Sequence, residues 1–308
     1  MQSAEIRIGT RGSPLALAQA GEVRATLAAA LGIDPAAFAI VPIRTSGDRI
    51  TDRPLTEAGG KGLFTKEIDE ALAAGQIDIA VHSAKDMATD LAAGIVIVAC
   101  LKRQDVRDAF ISPTARRLAD LPRGAVLGTS SLRRKALALR ARPDLTVVDL
   151  RGNVETRLRK IANGVAAATL LAAAGLARLG MSDRVASFME TDTWLPAPGQ
   201  GAIAIAARAD DAKTRDRLAA IDHRATSLAL TAERAFLAVL DGSCRTPIGG
   251  LATLDGARLA FAGIIVKADG SEAHDIATAG DAADAAKIGA DAGRTLAARG
   301  GPDFFAGR

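Results

Sequence analysis

The 308-residue sequence has few of the residues on which several common functions depend. Aromatic residues make up 3% of it, with no tyrosine and one tryptophan, so it lacks the stacking platforms on which single-stranded nucleic acids usually bind. The two cysteines, Cys100 and Cys244, cannot form a disulfide framework, and the three histidines have no metal-ligand spacing. We therefore expect a reduced protein without a bound metal.

A long hydrophobic run and an N-terminal targeting segment are also missing. No apolar run approaches the roughly 20 residues that cross a bilayer. Residues 1–9 lead into a strand-like alternation without a basic and then apolar leader. The sequence therefore predicts a cytoplasmic protein without a membrane partner, and because nothing in it indicates an interface we expect a monomer.

The sequence does contain enough apolar material for more than one core. Hydrophobic residues make up 49% and charged residues 24%, with a net charge of +4. At roughly 150 residues per domain, this length predicts two or three domains. Short β-branched runs alternate with alanine-rich helical stretches, for example a strand from Ile6 followed by a helix from Pro14 to about Leu31, and this alternation is typical of an α/β fold.

Basic residues cluster between residues 123 and 160, where arginine outnumbers lysine and acids are few. A guanidinium group binds carboxylate or phosphate in a bidentate manner, so this preference favours a ligand with several planar anions. Two predicted strand-to-helix turns lie in this region, at Gly128–Arg134 and at Arg151–Asn153, and a similar turn follows Arg11. The backbone N–H groups and dipole of a helix N-terminus favour an anion. A solvated basic face remains the alternative for any one of these arginines.

A predicted strand from Ile77 runs into a turn that carries Lys85 and Asp86 side by side. Open α/β sheets place their ligands beyond the carboxyl ends of strands. The pair is either a surface ion pair or part of an arginine-lined cleft. In a cleft of that kind Asp86 would be the negative group that stabilises a cation or accepts a proton.

Two loops invite a chemical interpretation that the residues alone leave open. The glycine-rich segment around Lys61 fails as a Walker motif and is either a mobile lid or a turn before the helix near Phe64. Cys244 precedes Arg245 in a loop without bulky neighbours, where the guanidinium favours the thiolate. It is either an activated thiol or an ordinary free one, whereas Cys100 lies inside an apolar strand and is expected to be inert.

Taken in order, seven segments of the chain resemble the hydroxymethylbilane synthase, or porphobilinogen deaminase, family. The match covers nearly the whole chain, and the segments are residues 9–17, 59–62, 82–86, 128–134, 151–153, 195–201 and 242–249. The resemblance implies two α/β domains like those of type II periplasmic solute-binding proteins, plus a small α+β C-terminal domain. The implied divisions are domain 1 at 1–101 with 202–220, domain 2 at 107–195, domain 3 at 224–308, and hinges at about 102–106 and 196–201.

The resemblance also implies the reaction. Such an enzyme is a transferase that links four porphobilinogen molecules head to tail, with release of ammonia, into the linear tetrapyrrole hydroxymethylbilane of haem biosynthesis. A covalent dipyrromethane cofactor primes it, held by Cys244 through a thioether, and Asp86 would be the catalytic aspartate. The further cofactor-binding positions are Lys85, Asp86 itself, Ser131, Arg133, Arg134, Arg151 and Gly152. The substrate-binding positions are Arg11, Ser13, Gln19, Lys61, Phe64, Arg151, Arg157, Arg178 and Gln200.

Two other classes of function compete with this interpretation. A solute-binding protein for an organic polyanion would use the same two lobes without chemistry, but it has no need of Cys244 and is normally exported. A nucleic-acid-binding protein would use the basic region between residues 123 and 160, and it predicts DNA binding with a steep dependence on salt. The resemblance favours the enzyme, with porphobilinogen as its partner.

Overall fold

The computed structural model of the chain describes residues 6–49, 65–240 and 246–305. The strands are β1 (Ile6–Arg11), β2 (Phe38–Ile43), β3 (Ile79–Ser83), β4 (Ile95–Cys100), β5 (Asp108–Ile111), β6 (Val126–Gly128), β7 (Thr146–Val148), β8 (Ala168–Ala172), β9 (Ser187–Met189), β10 (Ile203–Arg208), β11 (Ile248–Asp255), β12 (Arg258–Val266) and β13 (Ala273–Asp281). The α-helices are α1 (Pro14–Leu31), α2 (Ser46–Arg49), α3 (Lys66–Ala73), α4 (Leu132–Ala141), α5 (Val154–Ala162), α6 (Ala173–Arg178), α7 (Ala212–Ala219), α8 (Arg224–Val239) and α9 (Ala285–Gly300).

Local sequence signals account for the first helix. The Ser13 hydroxyl accepts a hydrogen bond from the Ala16 N–H at 3.3 Å, and Pro14 occupies the first helical position, where its missing N–H costs nothing. The helix ends at Leu31 because Gly32 adopts a left-handed conformation with φ of +64°. The predicted helix is therefore confirmed at both ends.

The chain forms two compact units. Unit 1 consists of the residues up to Gln104 together with Ala202–Ser227, and unit 2 consists of Asp105–Gly201 together with Leu228–Arg308. The chain thus passes between the units three times. The predicted division into three domains, with its hinges, stays a prediction.

Unit 1 contains a five-stranded sheet in the order β2-β1-β3-β10-β4. β1 is parallel to β2 and β3, whereas β10 runs antiparallel to β3 and β4. Both faces are covered, as expected for a largely parallel sheet. Leu27 of α1 and Leu218 of α7 pack on one face with Ile8, and Ile68 and Leu72 of α3 pack on the other.

Unit 2 repeats this arrangement in a sheet of order β7-β6-β8-β5-β9. Strand β6 is parallel to both of its neighbours, β7 and β8, as β1 is in unit 1. Strand β5 lies between β8 and β9 and runs antiparallel to both. In each sheet the antiparallel strand is the one that follows a passage between units, after Gly201 for β10 and after Gln104 for β5. The prediction of two α/β lobes is confirmed by these two sheets.

The C-terminal part of unit 2 is a three-stranded antiparallel sheet, β11-β12-β13, that packs with α8 and α9. The predicted α+β class is correct. The sequence pattern predicts strands at residues 251–254 and 259–267, which lie at β11 and β12, but it predicts no strand at β13. That strand contains one large apolar residue, Ile276, among alanine, threonine and charged positions, so its pattern is weak. The sequence pattern also predicts no element at β5, β9 or α7.

Helices α8 and α9 approach each other closely because α9 has glycines at the contact. A methyl group on Gly289 would overlap the backbone carbonyl of Ala232 in α8, and one on Gly293 would lie 3.0 Å from the Phe236 carbonyl oxygen. A rigid backbone atom cannot rotate away as a side chain can, so the two helices would have to separate.

We therefore expect Gly289→Ala to lower the free energy of unfolding by about 1–3 kcal/mol through overpacking. The control is Gly21→Ala in α1, where an added methyl group meets nothing within 4 Å. Because alanine is the better helix former, this control should raise stability by about 0.5–1 kcal/mol. Thermal unfolding followed by circular dichroism measures both, and equal effects of the two substitutions would contradict the proposed close contact.

Candidate active site

In unit 1 the carboxyl ends of β1 and β3 border a small cavity of about 50 Å³. Its lining includes four residues that the sequence predicted for substrate binding or catalysis, namely Arg11, Ser13, Gln19 and Asp86. The structure therefore brings these four together, at the edge of the sheet where an α/β fold binds its ligands.

Hydrogen bonds fix the polar groups of this cavity. Gln19 Nε2 donates to Ser83 Oγ at 2.8 Å, which joins the first turns of α1 to the end of β3. Thr10 Oγ1 donates to the Val81 carbonyl oxygen at 3.1 Å and is fully buried. Ser13 is occupied as the cap of α1. The wall of the cavity is therefore held in place before any ligand binds.

Asp86 lies at the end of a single 3-10 turn, Ala84–Asp86, directly after β3. The turn is anchored because the Ala84 N–H donates to the Ala202 carbonyl oxygen at 3.0 Å. Ala84 is buried, Lys85 is half-buried and Asp86 is exposed. The carboxylate is thus presented to a ligand by a rigid backbone.

His82, the residue that ends the buried part of β3, also lines the cavity and is 6% exposed. Its Nε2 is buried without a hydrogen-bond partner among the described residues. Burial, together with the smaller effect of the positive charge of Arg11, lowers the pKa of His82 to about 4. The imidazole is therefore neutral at physiological pH and adds no charge to the cavity.

We expect His82 to make the protein sensitive to acid. In the unfolded chain a histidine has a pKa near 6.5, whereas the folded value is about 4. Between these values the unfolded chain binds the extra proton, so stability from the neutral form is complete above pH 6.5 and declines as the pH falls towards 4. The decline should be on the order of 3 kcal/mol.

The measurement is the free energy of unfolding in urea for wild type and His82→Gln at a series of pH values from 7 to 4. Between pH 7 and pH 4 the free energy of unfolding of the variant should fall by less than that of wild type, with a difference on the order of 3 kcal/mol. Parallel curves for the two proteins would contradict a buried neutral histidine.

In unit 2 a buried ionic cluster forms around Asp108, the first residue of β5. Arg133 Nη2 donates to its Oδ2 at 2.8 Å, and Arg134 Nη2 donates to its Oδ1 at 2.7 Å. Trp194 Nε1 and Gln200 Nε2 complete the set, donating to Oδ2 and Oδ1 at 2.9 Å each. Each carboxylate oxygen therefore accepts two hydrogen bonds.

Charge within this cluster is not balanced. Desolvation alone would raise the pKa of Asp108, but the charges of Arg133 and Arg134, with hydrogen bonds from Arg134 and Gln200, hold it far below its usual range. One ionised carboxylate thus faces two guanidinium groups. Desolvation lowers the pKa of Arg133 and outweighs the attraction of Asp108. Because arginine nevertheless stays protonated in proteins, two guanidinium groups on one carboxylate leave one positive charge uncompensated among these three groups.

The same arginines supply a test of whether a carboxylate-bearing cofactor fits here. Both also donate through Nη1 to backbone carbonyl oxygens, Arg133 to Leu195 and Arg134 to Leu170, at 2.9 Å. Their Nε atoms are buried and have no hydrogen-bond partner among the described residues. An uncompensated charge with two unused N–H donors suits one additional carboxylate.

Neighbouring helix N-termini carry more of the predicted residues. Ser131 caps α4 by accepting from the Arg134 N–H. Asn153 caps α5, and Arg157 Nε donates to the Gly152 carbonyl oxygen at 2.8 Å. Gly152 has a φ of +118°, which favours glycine. Both helices therefore begin as predicted, each with its positive end beside an arginine.

Two predicted substrate residues lie further into unit 2. Arg178 is half-buried, and its Nη2 donates to the Gly201 carbonyl oxygen at 3.3 Å. Gln200 is fully buried and donates to Val106 O at 2.8 Å as well as to Asp108. In this structure the Gln200 side chain serves the cluster, so its predicted contact with substrate stays a prediction.

Three predicted site residues, Lys61, Phe64 and Cys244, lie outside the described residues. No helix in the described part of the chain is long and apolar enough to span a membrane. Over the same residues, no three His, Cys, Asp or Glu side chains are grouped as metal ligands would be.

The sequence interpretation assigned no role to His82, Asp108 or Trp194. A carboxylate at the start of a short apolar strand, as in Asp108-Ala109-Phe110-Ile111, is a signal for a buried ion pair that was available in the sequence. Which of the many arginines would pair with it depends on the fold, because Asp108 is 25 residues from Arg133.

Comparisons with known proteins agree over nearly the whole chain. A family model described as "Porphobilinogen deaminase, dipyromethane cofactor binding domain" matches residues 6–216, and one described as "Porphobilinogen deaminase, C-terminal domain" matches residues 227–298. The chain is 58% identical over 298 residues to a porphobilinogen deaminase of Nitrobacter hamburgensis and 59% identical over 298 residues to that of Nitrobacter winogradskyi. Each alignment covers 97% of this chain and 94% of the relative.

Solved structures give a more distant likeness. The methionine-binding protein MetQ is 14% identical with a TM-score of 0.44, covering 70% of this chain and 88% of that one. The lipoprotein Tp32 of Treponema pallidum is 13% identical with a TM-score of 0.45, covering 70% and 90%. Nothing about the ligand of this chain follows from likeness at that level.

Proposed function

The chain belongs to the porphobilinogen deaminase family, and on this basis we propose that it is a hydroxymethylbilane synthase. This transferase joins four porphobilinogen molecules head to tail, with release of one ammonia per addition, and uses a dipyrromethane cofactor. The match of both family domains, over residues 6–216 and 227–298, carries the proposal.

The arginines and helix N-termini suit the substrate. Porphobilinogen carries an acetate and a propionate group, so a chain grown to six rings bears about twelve carboxylates, each of which needs a charge-assisted partner if it is buried. Arg11, Ser13 and Gln19 would bind such groups from the cavity in unit 1, and Arg151, Arg157 and Arg178 from unit 2. Lys61, Phe64 and Gln200 complete the proposed substrate set.

The net positive charge and unused N–H donors of the Asp108 cluster suit a carboxylate, and this fit supports the proposed cofactor-binding residues. Arg133 and Arg134 would bind a carboxylate of the dipyrromethane through their unused N–H donors, with Lys85, Asp86, Ser131, Arg151 and Gly152 as the other members of the set. Cys244 would hold the group by a thioether. When bound, this group supplies the rings to which the first substrate is joined.

Asp86 would carry the chemical step. When the carbon–nitrogen bond of the aminomethyl group breaks, ammonia takes the electron pair and the pyrrole is left with a positive charge. A fixed carboxylate stabilises that charge at the ring N–H and can accept the proton released when the new ring regains aromaticity. Asp86 is the one acidic side chain among the cavity's described lining residues, and the anchored turn that it ends supports this role by fixing its backbone. His82 is neutral and adds no positive charge that would compete for the carboxylate.

We further expect a monomer in the cytoplasm. Porphobilinogen is a small polar acid, and the proposed reaction needs neither a membrane nor a second protein. Monomeric state and location both belong to the proposal.

The cofactor assignment is tested by intact-protein mass spectrometry. The purified protein should weigh more than its sequence by two linked pyrrole units, and peptide mapping should place the excess on Cys244. An unmodified mass in protein that still consumes porphobilinogen would refute the assignment.

Asp86→Asn should keep the cofactor attached and lower turnover by at least about 100-fold, the usual scale for loss of general acid–base catalysis. The readouts are intact mass and the rate of porphobilinogen consumption. Cys244→Ser is the complementary variant, expected to carry little cofactor. Near-normal turnover in Asp86→Asn would remove this residue from the mechanism.

A further inference from the structure

The Asp108 cluster does more than neutralise charge, because it unites three separate parts of unit 2. Asp108 begins β5, Arg133 and Arg134 lie in the first turn of α4, and Trp194 and Gln200 lie on the segment before the passage to β10. All five side chains are buried, and Asp108 is fully inaccessible.

The geometry of the two arginines is set by what they are already bonded to. Each uses one terminal nitrogen for Asp108 and the other for a backbone carbonyl oxygen. With both ends engaged, neither guanidinium can rotate without breaking a charge-assisted hydrogen bond. The Nε–H groups are thereby left in fixed positions.

A second buried carboxylate binds the segment of residues 194–200, which carries Trp194 and Gln200. Glu233 of α8 is fully buried; its Oε2 accepts from the Gly199 N–H at 2.5 Å and its Oε1 from the Ala252 N–H at 2.8 Å. The Gly250 N–H also donates to the Pro196 carbonyl oxygen at 2.9 Å. Residues 194–200 are therefore fixed at both ends within unit 2, so Trp194 and Gln200 meet Asp108 from a rigid backbone.

We propose that Asp108 is a positioning residue for this enzyme, which orients Arg133 and Arg134 and limits their combined charge so that the pair receives one carboxylate of the dipyrromethane group. The inference rests on the proposed function and concerns how the protein captures its cofactor. Asp108 itself contacts neither cofactor nor substrate.

The substitution Asp108→Asn distinguishes a positioning role of this residue from a merely structural one. In Asp108→Asn one of the two oxygens becomes an NH₂ group, which would face two donors: Arg133 with Trp194, or Arg134 with Gln200. Two of the four hydrogen bonds are lost whichever way the amide turns. At least one guanidinium is then released from its orientation.

The experiment follows cofactor capture rather than turnover. Wild type and variants are produced in a host that cannot make porphobilinogen, purified without cofactor, and incubated with porphobilinogen over a range of concentrations. Intact mass against time gives the rate at which two pyrrole units are gained. The emission of Trp194, the single tryptophan, reports independently on the cluster.

For Asp108→Asn we expect the half-saturating porphobilinogen concentration for capture to rise at least about tenfold, as for lost charge-assisted hydrogen bonds, with a changed Trp194 emission. The matched control is Asp144→Asn, which breaks the Arg142–Asp144 pair of the same unit, bonded at 2.8 Å through both Nε and Nη2. This control should stay within about twofold of wild type, because the half-buried Arg142–Asp144 pair has no hydrogen bond to the Asp108 cluster among the described residues.

Three results would overturn the inference. If Asp108 has only a structural role, a smaller fraction of the variant molecules captures cofactor, and the half-saturating porphobilinogen concentration is unchanged. If Asp108→Asn does not fold, Asp108→Glu carries the test: its added methylene displaces the arginines while keeping the charge, and an unchanged half-saturating concentration there contradicts the inference. A wild-type protein that gains no mass would overturn the proposed function as well.

Discussion

Two guanidinium groups cannot be buried side by side without a counter-charge, and this requirement organises unit 2. Asp108 supplies the counter-charge, and it reaches both arginines from the start of β5, the strand that lies between β8 and β9. The cost of burying three charges is offset only if nearly every lone pair is used. Trp194 and Gln200 fill the remaining acceptor sites, which explains why a segment rich in proline and glycine packs so tightly there.

The repeated sheet topology explains how a largely parallel fold gathers anion sites. In each lobe the strands that precede α1, α4 and α5 end at one edge of a sheet, so the positive ends of these helices lie at that edge. Ser13, Ser131 and Asn153 cap them, and an arginine lies within two residues of each cap. Charge, helix dipole and free N–H groups thus act together on planar anions, which fits a substrate and a cofactor rich in carboxylates.

Strongly patterned elements could be predicted from sequence, and others could not. The serine cap and proline before α1 gave that helix, and apolar runs gave the starts of β1 and β3 to within two residues. Strand β13 was not predicted because its exposed edge position requires few large apolar residues. Strand β5 was not predicted because its four residues carry little periodicity. The roles of Cys244 and Asp86 came from resemblance, since spacing alone left an exposed thiol and a surface carboxylate as open alternatives.

In the site, too, some features could be predicted from the sequence and others could not. The resemblance named Arg133 and Arg134 as cofactor-binding positions, and the structure commits both terminal nitrogens of each to the protein. Sequence cannot reveal this, because the partners Leu170, Leu195 and Asp108 are distant in the chain and meet only through the sheet order. His82 became informative in the same way, once burial beside Arg11 established its neutral state.

The central claim is that a buried, uncompensated positive charge on the Arg133–Arg134 pair receives a carboxylate of the cofactor. The most direct measurement is a crystal structure of the cofactor-loaded protein at a resolution that defines the side chains. We expect one cofactor carboxylate within hydrogen-bond distance of the Nε atoms of these two arginines, with Asp108 still bonded to both. Nε atoms that face only protein or water in the loaded protein would contradict it.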